Sequence, residues 1–269
     1  MINFSNYLKQ LRKSGQISFT ADQAAKDLQT SKSNILVAIG YIKKQGDLIS
    51  PAKGFYIIVP PEHQKFGCIP AEELVPILTK HLKINYYSGL LTAAMYHGAT
   101  HQKPNSFQII SDKQIKRELR FGDVCIKFCY KKSLANLPLE DVVVRSGYLK
   151  ISSPELTAMD LLLYPNPSGG INHTATVLSE IAEKIDPRKL IDLAKNSKGT
   201  SWLQRLGYIL EKIDTENNDH RDLVVNAIID YLSKQKLSFA TLVPEISPAG
   251  YSHCKKWKII ENTTVESDL

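Results

Sequence analysis

The stretch TADQAAKDLQTSKSNILVAIGYIKKQGDLISPAKGFYIIV, residues 20–59, predicts a helix, a turn, a second helix and a tight β-hairpin. Thr20 and Gln23 have the T-x-x-Q spacing of a capping box, with Phe19 and Ala24 at the hydrophobic-staple positions. A helix therefore starts at Ala21 and closes at Leu28. A serine hydroxyl within Ser31 to Ser33 can accept from an orphan amide two or three residues on, which starts the next helix. That helix ends near Gln45, with Gly46 as its C′ residue. Ile35, Ile39 and Ile42 are spaced four and three apart and form one apolar stripe, leaving Ser33, Val37, Gly40 and Lys44 on the opposite face. Residues 47–50 (DLIS) and 54–59 (GFYIIV) are strand-like runs joined by a Pro51-Ala52-Lys53-Gly54 turn, the wing of a winged helix-turn-helix.

A helix presented in this way enters the DNA major groove with its N-terminal residues nearest the base edges. The candidate DNA-contacting residues are Thr30, Ser31, Lys32, Ser33, Asn34, Val37, Tyr41 and Lys44, with Lys53 at the wing tip. Serine and asparagine can hydrogen-bond to bases, whereas the lysines suit phosphates and add affinity without sequence information. The blander alternative is a helical bundle with a solvated polar face used for protein contact. Agreement between caps, stripe, glycine and wing favours DNA.

Working outward, residues 3–14 predict an amphipathic helix with Phe4, Tyr7, Leu8 and Leu11 as its apolar side, ended by Gly15. Ile17 to Phe19 add a short strand to the wing sheet. Pro60-Pro61 blocks further strand pairing, so the domain boundary falls between residues 1–61 and 62–269. Beyond it, a helix over AEELVPILTKHL is interrupted by Pro76, and a second, mostly buried helix begins near Asn85. Strands are predicted over Phe107 to Ser111, Val124 to Tyr130, Val142 to Val144 and Tyr148 to Ile151. Ser153 as cap and Pro154 at the first helical position start a helix over PELTAMDLLLY. Further helices follow at about 171–185, 187–196, 200–213 and 219–234, and then a last strand in WKIIEN. The expected fold class is α+β: the winged helix-turn-helix, then a larger α+β domain whose small mixed sheet is flanked by helices.

Charge is distributed unevenly. Residues 1–60 hold eight Lys or Arg against three Asp, or +5; residues 61–130 hold nine against six, or +3; residues 131–269 hold 17 against 18, or −1, within a total of +7. The excess lies where counterion-release binding to DNA requires it. With 43% hydrophobic and 23% charged residues, the chain has the composition of an ordinary soluble protein. It has no apolar run of membrane-spanning length, and its start lacks the apolar core of a signal peptide, so a cytoplasmic location is expected. Cys68, Cys125, Cys129 and Cys254 are too few and scattered for a disulfide framework.

Residue types give little support to catalysis. Asp123 and Lys127 lie on a strand but are four apart, not two, and Glu155 and Asp160 are separated by about 140° round one helix and do not converge. His97 and His101 have the spacing of a helical ligand pair without a third partner, so no metal is expected. Ser168-Gly169-Gly170 lacks the rest of a phosphate-binding motif, and a turn between helices explains it better. Lys255, Lys256 and Lys258 around Trp257 suit either a secondary phosphate contact or a solvated strand edge. Neither catalytic residues nor cofactors are expected; a metal-dependent nuclease or nucleotide-processing enzyme tethered to DNA is the alternative.

The chain resembles the AbiEi family of abortive-infection antitoxins. The resemblance rests on the N-terminal winged helix, on YYSGLLTAAMYHGATHQKPNSFQII (residues 86–110), LKISSPELTAMDLLLYP (149–165) followed by Gly169-Gly170-Ile171, WLQRLGYILEK (202–212) and KWKIIEN (256–262). It implies the antitoxin of a type IV toxin-antitoxin system acting in phage resistance. The winged helix would repress its own operon by binding inverted repeats in the promoter. The C-terminal domain would counteract a co-encoded nucleotidyltransferase-like toxin without requiring a stable complex.

Overall fold

Helices and several sheets alternate along the chain in an α+β arrangement; the computed structural model describes residues 4–100, 104–115, 118–213 and 219–265. Two compact units are present: Met1–Tyr86 with Asn105–Ser133 and Asp141–Leu149, and Tyr87–Pro104 with Leu134–Glu140 and Lys150–Leu269. Each unit is thus assembled from separated segments. Among the described residues no helix is long and apolar enough to cross a membrane.

The first unit begins with α1 (Phe4–Lys13), β1 (Ser18–Thr20), α2 (Ala21–Asp27), α3 (Lys32–Lys44), β2 (Leu48–Ala52) and β3 (Phe55–Ile58). Both helix starts are capped: the Thr20 hydroxyl accepts from the Gln23 amide at 3.1 Å and Ser31 from Asn34 at 3.3 Å. Each cap satisfies one amide that has no partner within its helix, worth about 1 kcal/mol. β3 lies between β1 and β2, antiparallel to both, in the register Phe19↔Tyr56 and Ile49↔Ile57. Phe19 is the hub of the core, with its ring 6.0 Å from both Phe4 and Tyr7 and 5.6 Å from Tyr56. Tyr7 donates to Asp27 at 2.9 Å, and burial together with that carboxylate raises the phenol's pKa well above its usual value. Ile35 and Ile39 are buried in this core and Ile42 is half-buried against it.

The hairpin turn is tighter than the predicted four residues. Ala52 pairs with Phe55, leaving only Lys53 and Gly54, and Gly54 takes φ +71, which a glycine adopts without strain. The register shifts between Ile49 and Ala52, where Pro51 has no N–H to give to the ladder.

After a 3-10 turn at Pro61–Phe66, α4 (Ala71–Leu82) runs through Pro76 without interruption. The proline costs a backbone bond, but burial of Leu74, Val75 and Leu78 on α4 outweighs that loss. The helix predicted to begin near Asn85 instead divides into β4 (Tyr86–Ser88) and α5 (Leu90–Tyr96), with Gly89 between them. Aromatic residues favour extended backbone, and Tyr87 is fully buried there. In the first unit β5 (Phe107–Ser111) pairs in parallel with β7 (Val124–Tyr130), and β7 pairs antiparallel with β6 (Leu119–Phe121), a strand for which the sequence pattern carries no signal. β8 (Leu139–Val144) and β9 (Gly147–Ser152) complete the larger strands.

The second unit is mainly helical. Ser153 accepts from the Leu156 amide at 3.4 Å and Pro154 is the first residue of α6 (Pro154–Leu163), a helix buried on nearly every side. α7 (Gly170–Ile181), α8 (Pro187–Asn196), α9 (Ser201–Lys212) and α10 (Asp219–Ser233) follow, with α7, α8 and α9 all packed against α6. A small sheet of β10 (Ala240–Thr241), β11 (His253–Cys254) and β12 (Ile259–Ile260) has the order β10-β12-β11, and β12 packs on α9.

Candidate nucleic-acid interface

The isoleucine stripe anchors α3 and thereby decides which side chains it presents outward. At about 100° per residue, Val37 lies about 140–160° round the axis from Ile35 and Ile42. It is 62% exposed, and Tyr41, the next residue along the same ridge, is 69% exposed. Ser33 and Lys44 are exposed on this face, so Ser33, Val37, Tyr41 and Lys44 form one continuous outward surface. Leu36, 44% exposed, borders it. Spacing alone does not single out Leu36, since it lies at the edge of the polar face and has an apolar side chain.

The remaining candidates are arranged around the start of α3 and on the hairpin. Thr30 is half-buried and accepts from the Asn34 side-chain amide at 3.2 Å. The Ser31 hydroxyl is occupied as the cap. Lys32 forms an ion pair with Asp22 on α2 at 2.7 Å, with side-chain exposures of 53% and 76%. An exposed pair of this kind is worth about 1 kcal/mol or less, so a phosphate can take the place of Asp22. Lys53 is exposed at the hairpin tip. Gly40 is helical and exposed, and a Cβ added there would meet nothing within 4 Å.

The groups considered for chemistry are engaged in holding the fold. Asp160 accepts from the Tyr87 hydroxyl at 2.7 Å, with both residues fully buried. Glu155 accepts from the Ser153 hydroxyl at 2.6 Å and the Asp186 amide at 2.9 Å, which ties the start of α6 to the start of α8. Lys127 faces Glu118 at 3.9 Å, and Asp123 donates its amide to the Phe66 carbonyl. His97 is buried with Nε2 2.7 Å from the Ser152 carbonyl, while His101 lies outside the described residues. Among the described residues no three His, Cys, Asp or Glu side chains group so as to hold a metal. All four cysteines are free; burial pushes the Cys68 thiol up to about 12, in keeping with a packing role.

In the basic C-terminal segment, Lys256 pairs with Glu211, and Lys258 sits over the Phe239 ring, 5.0 Å from its centroid. Trp257 is buried against α9 and donates to Glu211 at 2.7 Å, while the Gln204 side-chain amide donates to the Trp257 carbonyl at 3.0 Å. Tyr208 donates to Glu261 at 2.7 Å.

The molecule is therefore a mixed α+β protein with a capped helix pair and hairpin at its N-terminal end and a helix-rich second unit. Residues 87–212 match the family model of the AbiEi antitoxin C-terminal domain, so the resemblance drawn from sequence is shown over this segment. Among solved structures, the crystal structure of RV2827C protein from Mycobacterium tuberculosis is similar, with a TM-score of 0.66 at 16% identity. The likeness covers 95% of this chain and 90% of that one, and at such identity it is a likeness of fold. A comparison with curated proteins finds no match.

Proposed function

We propose that this chain is a DNA-binding transcriptional repressor and the antitoxin of a type IV toxin-antitoxin operon. Residues 1–61 form a winged helix-turn-helix that binds inverted repeats in the operon's own promoter. Residues 62–269 counteract a co-encoded nucleotidyltransferase-like toxin in the cytoplasm, with no catalytic step of their own and no need for a stable complex. The observation that carries the DNA reading is the outward surface of α3, where Ser33, Val37, Tyr41 and Lys44 lie opposite the buried isoleucines. The AbiEi match over residues 87–212 supports the antitoxin reading.

The test is a titration of the full-length protein against its native promoter fragment at two salt concentrations, because affinity without a salt slope is uninterpretable. Ser33→Ala with Lys44→Ala should weaken binding about tenfold or more, equivalent to about 1.4 kcal/mol, with an unchanged melting temperature. Loss of Lys44 alone should reduce the slope of log affinity against log salt by about 0.9. Unchanged binding in the double variant removes these residues from the interface. Failure of the full-length protein to shift the promoter removes the repressor reading. Rescue of growth on co-expression with the neighbouring toxin gene tests the antitoxin role separately.

A further inference from the structure

Two well-exposed positions of α3 carry an apolar and an aromatic side chain, Val37 at 62% and Tyr41 at 69%, where solvation alone would favour a long polar helix former. Valine is a poor choice on such a surface for a second reason, since its β-branch loses rotamer freedom in a helix. Several polar groups around the start of α3 make contacts within the protein, the Ser31 hydroxyl with the Asn34 amide, the Asn34 side-chain amide with Thr30, and Lys32 with Asp22, while Ser33 stays exposed. Gly40 projects no side chain between Val37 and Tyr41, so nothing at that position holds the helix backbone away from a surface it approaches. In the major groove the apolar feature of the base pairs is the C5-methyl group of thymine.

Resting on the reading of α3 as the element that enters the groove, we propose that Val37 and Tyr41 confer specificity by packing on thymine methyl groups. The operator half-site then carries thymine opposite the middle of α3, and discrimination there depends on van der Waals contact more than on hydrogen bonds.

Replacing thymine by uracil tests this directly, because uracil keeps every hydrogen bond of the pair and lacks only the methyl. The full-length protein is titrated against the native promoter fragment synthesised with either dTTP or dUTP, at one salt concentration. The uracil fragment should bind about fourfold more weakly if one packed methyl group is removed, and about fifteenfold if two are. Val37→Ala and Tyr41→Ala should bind the thymine fragment more weakly and bring the thymine-to-uracil ratio towards one. Equal binding of both fragments by the wild type overturns the proposal while leaving DNA binding intact, as do variants that keep the wild-type ratio. If neither fragment is shifted, the proposal and the DNA reading fall together.

Discussion

Gly40 and Gly207 are both helical glycines, and the structure gives them opposite meanings. A methyl at Gly40 would meet no protein atom, so nothing inside the fold explains a residue that costs its helix about 1 kcal/mol relative to alanine. Its place on the outward face of α3 fits a requirement for close approach by a ligand. Gly40→Ala should therefore raise the stability of the free protein by up to about 1 kcal/mol, read as a higher melting temperature, and weaken promoter binding several-fold. A variant that is more stable and binds with full affinity would remove Gly40 from the DNA-facing surface. Gly207 is closed in: a Cβ there would fall 2.1 Å from the Trp257 ring.

That close approach makes α9 and the C-terminal strands one packed element. Gly207 receives the Trp257 ring, Gln204 ties the chain at Trp257, and Arg205 donates to the Thr241 carbonyl at 2.9 Å. Burial lowers the Arg205 pKa from its ordinary value. Gly207→Ala must displace the indole and with it the bond to Glu211, at a cost of about 1–3 kcal/mol. The expected result is a lower melting temperature, with promoter affinity unchanged where the second unit remains folded. An unaltered melting temperature would show that Trp257 moves aside freely. In α3 the corresponding work is shared between the Ser31 cap and the isoleucine stripe, both visible as residue spacing. The lock on α9 depends on a partner about 50 residues away in sequence, so residue order alone reveals the helix at about 200–213 and the strand in WKIIEN but not their joining.

The excess of +5 over residues 1–60 belongs with the proposed DNA surface, and carboxyls with lowered pKa values occur in both units, Glu62 and Glu118 in the first and Glu211 and Glu261 in the second. Burial opposes ionisation of Glu211, but hydrogen bonds from Lys256 and Trp257 outweigh it and hold the carboxyl below its usual range. Tyr208 and Ser252 do the same for Glu261. A carboxyl with a lowered folded-state pKa contributes stability that is complete above the unfolded value and is lost as pH falls through the folded one. The melting temperature should therefore fall between about pH 5 and pH 3, and Glu211→Gln should flatten that fall while lowering stability near neutrality. A Glu211→Gln protein with the wild-type acid profile would place the transition in other carboxylates.

Residue order is enough to locate most elements, because caps, periodicity and turn residues act within a few positions of one another. Thr20, Ser31 and Ser153 start their helices where their hydroxyls find an orphan amide, and the helical periodicity of α8 or the apolar run of β7 requires no distant partner to be recognised. The outward side of α3 follows from three isoleucines for the same reason. Folding in three dimensions decided the rest: that Tyr86–Ser88 is a strand, that Leu119–Phe121 pairs with β7, that α4 passes through Pro76, and that the two compact units draw on separated stretches of chain. The local preference is adverse at Pro76 and favourable but confined to three residues at Tyr86–Ser88, so burial and strand pairing with residues far along the chain supply the free energy that settles the outcome.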